Sequence, residues 1–177
     1  MAKNSRKQID EDERRVVAEL QKNANENIGE IAKKCGFSRQ KAWRIIKRLE
    51  GNKTIWGYRA IVSNYKTNMN NYVLLIKAKH LPIENPVEKK LIGKDIDKMA
   101  EEMDVFVEGS YWTHGNYDVM VNFSARNIRE AKKFQELYLN AFDDSISEID
   151  LLEKIVIIKD GGFINPTLSK TKSLLKV

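Results

Sequence analysis

The chain is poor in the residues that chemistry usually needs. Its 177 residues include one cysteine and two histidines. A lone cysteine excludes an intrachain disulfide and fits a reducing compartment. Two isolated histidines offer no metal-ligand set. There is no phosphate loop, nucleophile elbow or dinucleotide fingerprint. The acid pairs Glu101-Glu102 and Asp143-Asp144 fall at expected helix ends or exposed faces, where solvation accounts for them. No catalytic residue, metal site or cofactor is therefore expected. No run of about 18 apolar residues suggests a membrane span. Met1 to Gln8 is basic and polar with no apolar stretch behind it, unlike a secretory signal. A cytoplasmic protein is expected, and its 42% apolar content suffices for a buried core.

Acids are scarce in one place. From Ser38 to Arg59 there are seven Lys/Arg and a single acid, Glu50. The whole chain carries +6, but residues 1–60 carry +7 and the remainder −1. A basic N-terminal module thus joins a nearly neutral C-terminal one, so only the first part is expected to meet a polyanion.

Helical spacing organises the basic part. Val16, Val17 and Leu20 give the stripe of a first helix, opened at Asp10 with Glu13 completing a capping box. Asn27 caps a second, with Ile28, Ile31, Ala32 and Cys35 inward. Gly36 is placed to take the left-handed conformation of a tight turn. Ser38 caps a third helix whose Ala42, Ile45, Ile46 and Leu49 form one apolar stripe. Gln40, Arg44 and Lys47 point away from that stripe, with Arg39 and Trp43 on one flank and Lys41 and Arg48 on the other. A supporting helix followed by two helices around a glycine turn makes a helix-turn-helix.

The candidate DNA-binding residues are Ser38, Arg39, Gln40, Trp43, Arg44, Lys47 and Arg48. Arginine can bond guanine bidentately and glutamine adenine, while lysine more often meets phosphate. Ser38 opens a helix N-terminus suited to a phosphate, or serves only as a cap. Trp43 either stacks on a sugar or thymine methyl or covers the edge of the core. Lys33, Lys34, Lys53 and Arg59 suit phosphate or solvent better than bases.

After Gly51 the pattern changes. Ile55, Trp56, Tyr58, Ile61 and Val62 predict a linking strand, followed by a polar linker to Asn71. Strands are then expected over 72–79, 105–112, 117–123 and 146–159, and helices over 91–103 and 128–142. The stretch 80–90, with two of the three prolines, reads as irregular. The order βαββαβ predicts a ferredoxin-like α+β sandwich with two helices on one face of an antiparallel sheet. Domain bounds follow as a basic tail 1–8, a winged-helix-like helix-turn-helix 9–54, a linking strand and linker 55–71, a ferredoxin-like domain 72–159 and a basic tail 160–177.

This arrangement resembles the Lrp/AsnC family of prokaryotic transcription regulators. The similar strings are Ile9-Asp10, Ile31-Ala32-Lys33-Lys34-Cys35-Gly36-Phe37-Ser38, Lys47-Arg48-Leu49-Glu50, Ile55-Trp56-Gly57-Tyr58 and Gly115-Asn116-Tyr117-Asp118, and the likeness covers about 9–158. The resemblance implies a dimer built through the C-terminal domain, with further assembly to tetramers or octamers, and binding to promoter double-stranded DNA at inverted repeats. It also implies an amino-acid effector, or a subunit contact, near His114, Gly115, Asn116, Tyr117 and Asp118. By chemistry alone those residues are simply a hairpin turn. Three features depart from the family: the long connection over 80–94, His114 where a small hydroxyl residue is frequent, and the chain after Ile158. A global DNA-architectural protein and a metabolite sensor acting through protein partners remain the alternatives.

Overall fold

Good helix formers run without glycine or proline from Arg6 to Lys22, and helix α1 (Arg6–Lys22) takes all of them. The start expected at Asp10 is therefore wrong by a turn. Arg6, Lys7 and Gln8 extend the helix at little cost, and Glu13 finds another partner. The computed structural model describes residues 6–80 and 95–168. They fall into two compact units, with the boundary between Ile61 and Val62.

In the first unit, Asn27 opens α2 (Ile28–Cys35) by accepting the Gly29 N–H at 2.8 Å. Gly36 stops it at φ 70°, and the Gly36 and Phe37 N–H groups return to the Lys33 and Ala32 carbonyls. Three residues after Cys35, the Ser38 hydroxyl accepts the Lys41 N–H at 3.2 Å and starts α3 (Arg39–Gly51). Val16 of α1, Ile31 and Cys35 of α2, and Ile45, Ile46 and Leu49 of α3 close one core. Val17, Leu20, Ile28, Phe37 and Ile55 ring it. Burial also raises the Cys35 thiol above its ordinary value.

The expected linking strand is absent. Residues 56–63 form no strand and lead into a single turn, α4 (Asn64–Thr67). Their β-forming side chains lack what a strand requires, a second backbone to pair with. Among the described residues no strand pairs with this segment.

The second unit begins at β1 (Asn70–Ala78), followed by α5 (Asp95–Glu102), β2 (Phe106–Trp112), β3 (Val119–Ala125), α6 (Ile128–Phe142) and β4 (Ile146–Glu153). The sheet order is β2-β3-β1-β4 with every pair antiparallel. That is the ferredoxin-like arrangement. Tyr72, Leu74 and Ile76 of β1 lie beside Phe123, Val121 and Val119 of β3 on the helix-covered face. Ile96 and Ala100 of α5 and Ala131, Phe134, Tyr138 and Phe142 of α6 complete that core. A ladder of rings runs through it, with Tyr72–Phe123 centroids 5.5 Å apart and Phe123–Phe134 4.8 Å apart.

Several boundaries moved. Strand β4 ends at Glu153, six residues short of expectation, because Glu153 pairs with Tyr72 near the start of β1 and no partner strand continues. Beyond it, β5 (Lys159–Asp160) and β6 (Phe163–Ile164) form a small hairpin around Gly161 and Gly162, where a plain tail was expected. On α5, Met99 is exposed while Ile96 and Ala100 face the core. The irregular stretch predicted over 80–90 lies outside the described residues except for His80, as do residues 91–94 of the expected helix, most of tail 1–8 and residues 169–177 of the C-terminal tail.

Gly36 has open space where a Cβ would stand, so substitution there meets only backbone strain. Gly36→Ala should cost about 1–2 kcal/mol, and Gly36→Asn less, read from urea unfolding of the full chain. Equal stability of all three would contradict the left-handed turn.

Candidate nucleic-acid interface

A helix that serves a core on one side is rotationally fixed, so its other side is a defined surface. Ala42, Ile45, Ile46 and Leu49 are all buried, and Arg39, Gln40, Trp43, Arg44, Lys47 and Arg48 are all exposed, with Ser38 exposed at the N-terminus. Trp43 is about half exposed at 48%, so its indole is neither core nor free of it. The Arg44 Nε donates back to the Gln40 carbonyl at 3.4 Å, a long bond on its own helix.

The cations of α3 differ in what already holds them. Lys41 reaches the buried Asp12 of α1 at 2.6 Å and stands 4.1 Å from the centre of the Phe37 ring. Arg48 donates through Nε to Glu13 of α1 at 2.7 Å. Lys47 meets Glu50 at 2.7 Å within its own helix. Lys34 of α2 donates to Glu26 at 2.5 Å. Two of these pairs, Asp12–Lys41 and Glu13–Arg48, tie α3 to α1, one near each end. Arg48, one of the candidate DNA-binding residues, is therefore also engaged by the fold. Lys33, Lys53 and Arg59 are exposed.

Asp12 and Glu13 are the residues that sequence reasoning missed. Glu13 was read as a capping acid, and Asp12 was not singled out at all. Their partners lie 29 and 35 residues away, so no local spacing announces them. A further uncounted contact is Tyr58, whose hydroxyl donates to Glu50 Oε1 at 3.1 Å while Lys47 holds Oε2. Bonds from Lys47 and then Tyr58 hold the Glu50 carboxyl below its ordinary value.

The second candidate region closes β2 onto β3. His114, Gly115 and Asn116 are exposed at its tip. Tyr117 donates to Asp150 of β4 at 2.5 Å, which raises its phenol above the ordinary value. The Asp118 carboxylate accepts the Ala78 N–H at 2.8 Å, and the Asp118 N–H donates to the Ile76 carbonyl at 2.9 Å. Asp118 thus secures the loop to the end of β1. The structure brings Tyr117 and Asp118 onto neighbouring strands and leaves His114 and Asn116 in solvent. Among the described residues no group of His, Cys, Asp or Glu is placed to hold a metal, and no helix is long and apolar enough to cross a membrane.

Burial disfavours charge on Asp12. The bonds from Lys41 and Gln8, with the charges of Lys41 and Arg15, outweigh it and hold the carboxyl below its ordinary value. A depressed carboxyl stabilises the fold fully above its unfolded value of about 3.9 and loses that contribution as pH falls through the folded value. Thermal melts between about pH 5 and pH 2 should therefore fall more steeply for the native chain than for Asp12→Asn. At neutral pH the substitution should cost about 1–2 kcal/mol, since Lys41 can still reach water. Parallel acid profiles would show that the pair contributes nothing.

Residues 9–52 match a family of winged helix-turn-helix DNA-binding segments. No curated protein sequence matches the chain. Its structure is similar to that of the AsnC family transcriptional regulator from Agrobacterium tumefaciens, at 19% identity and a TM-score of 0.61, over 89% of this chain and 97% of that one. It is also similar to the leucine response regulatory protein of Mycobacterium tuberculosis, at 15% identity and a TM-score of 0.63, over 88% and 98% of the two chains. A transcriptional regulator from Neisseria meningitidis in complex with L-Met aligns at 15% identity and a TM-score of 0.62, over 90% and 97%. The chain thus joins a winged helix-turn-helix segment to a ferredoxin-like sheet, in the fold of the Lrp- and AsnC-type transcription regulators.

Proposed function

We propose that the chain is a sequence-specific, DNA-binding transcription regulator that reads the major groove with α3 as a dimer or larger assembly. One observation carries this reading: a helix locked by a buried stripe and two ion pairs presents Arg39, Gln40, Arg44 and Lys47 together on its open side. Arg39, Gln40 and Arg44 lie in its N-terminal half, the part of a recognition helix that meets base edges. Lys47, held only by an exposed pair with Glu50, is released to phosphate at small cost. Trp43 adds an apolar contact at the flank, Ser38 a helix N-terminus, and Arg48 acts chiefly through Glu13. Phosphate contacts supply much of the affinity, so binding weakens steeply with salt.

Dimerisation is supported by the sheet. Its helix-free face carries Phe106 and Tyr111 of β2, Met120 of β3, Val73 and Leu75 of β1, and Leu152 of β4. Phe106, Tyr111 and Leu152 are 63%, 49% and 49% exposed, a large apolar surface for a solvated sheet. A second copy laid on this face would bury it and present two recognition helices to successive turns of a duplex. The likeness to a regulator solved with L-Met supports an amino-acid effector acting near His114 to Asp118. In this chain Asp118 already accepts a backbone N–H, so the exposed His114 and Asn116 offer the free polar groups there.

Selection of genomic fragments at near-physiological salt should enrich a discrete inverted repeat. On that repeat Arg44→Ala should lose about 1–3 kcal/mol of binding. Enrichment that follows base composition alone would favour the DNA-architectural reading instead. Light scattering should show Phe106→Lys with Leu152→Lys shifting the chain toward monomer, and an unchanged mass would move the interface elsewhere.

A further inference from the structure

The cations along α3 are not held alike. Arg39 and Arg44 lie with Gln40 in its N-terminal half, and among the described residues no acid pairs with either arginine. Lys41 is committed to the buried Asp12 and belongs to the core. Near the C-terminal end, Lys47 and Arg48 are each tied to a carboxylate, Lys47 to Glu50 at 2.7 Å and Arg48 to Glu13 of α1 at 2.7 Å. The division falls where the work of a recognition helix changes. Its N-terminal residues reach base edges, and its other end lies toward the sugar-phosphate backbone. The arginines placed for bases thus carry no acid, while both cations placed for phosphate do.

The two acids are also the fixed members of their pairs. Glu13 and Glu50 are 22% and 31% exposed in their side chains, against 47% for Arg48 and 56% for Lys47. Glu50 is gripped on its second oxygen by Tyr58 at 3.1 Å. When either pair opens, the long cation swings and the carboxylate stays. While a pair is closed, its acid cancels the cation and repels an approaching phosphate.

We propose that Glu13 and Glu50 are specificity-determining residues that withhold Arg48 and Lys47 from phosphate until α3 is seated on matching bases. A helix resting loosely on arbitrary sequence leaves both pairs closed and forgoes two phosphate contacts. A fully seated helix brings the backbone close enough for phosphate to replace each acid, and opening exposed pairs costs little by then. Selectivity gained by weakening the wrong complex is as effective as selectivity gained by strengthening the right one. The inference rests on the DNA-binding reading above and assigns that surface a device against indiscriminate binding.

The test uses the full chain and a random duplex of about 40 bp, because phosphate contacts need no particular sequence. Glu50→Gln and Glu13→Gln should each strengthen binding to it about 5-fold and steepen the slope of log affinity against log salt by about 0.9, one phosphate contact apiece. Glu11→Gln removes one exposed charge from α1 and controls for net charge. Its gain should stay below about 2-fold, with the native slope. In a Lys47→Met background, Glu50→Gln should add no more than this control. On the inverted repeat recovered by genomic selection, Glu50→Gln should gain less than on random DNA, so preference for the repeat falls. Glutamine still accepts from Tyr58, so the melting curve of Glu50→Gln should stay close to the native one. If both variants gain no more than Glu11→Gln and keep the native slope, this inference falls and the regulator reading stands. If Glu13→Gln instead weakens binding, that bond positions Arg48 on DNA, and the inference is wrong for that pair. If neither the native chain nor any variant binds duplex at low salt, both proposals fall together.

Discussion

The rotation of α3 is the constraint from which the first unit follows. Four apolar side chains on one stripe leave the helix a single orientation on α1 and α2, and every exposed side chain inherits its direction from that choice. The two ion pairs to α1 are modest in energy, because one partner of each reaches solvent. Their value is angular. Asp12 holds Lys41 near the beginning of α3 and Glu13 holds Arg48 near its end, which resists rolling of a short helix more than burial alone would. Cations that would otherwise blur the charged face are thereby turned to internal use, and the face that remains is narrower and better defined than the charge count suggests.

The second unit meets a different demand. Its sheet has one face sealed by α5 and α6 around a chain of aromatic rings, while the other leaves Phe106, Tyr111 and Leu152 exposed. Water is a poor permanent partner for such a surface. The loop between β2 and β3 is held by bonds from Asp118 to β1 and from Tyr117 to β4, so its tip stands on a firm base although the tip itself is in solvent. An effector arriving there would meet a prepared platform rather than a loop it must first order.

Much of this architecture was legible in the sequence because it is written locally. The caps at Asn27 and Ser38, the turn at Gly36 and the stripe Ala42-Ile45-Ile46-Leu49 each depend on residues within a turn or two, and each stands where it was expected. The two helices and four strands of the sheet followed from periodicity. What failed was nonlocal. The acids that hold Lys41 and Arg48 lie a helix away, and Tyr58 reaches back eight residues to Glu50. The strand expected over 55–62 failed for a related reason: β-propensity describes a side chain's fit to a sheet, and among the described residues no strand lies beside this segment. The end of β4 was misjudged likewise, because the length of a strand is set by its neighbour.

Cys35 has a consequence of another kind. It is the chain's single thiol, 6% exposed within the helix-turn-helix core and less acidic than a free one. A soluble thiol reagent can therefore modify it only when α2 lifts from α1 and α3. The speed of that modification would act as a clock for the opening of the helix-turn-helix unit. Any ligand that slows the clock must grip the three helices, whatever it does elsewhere in the molecule.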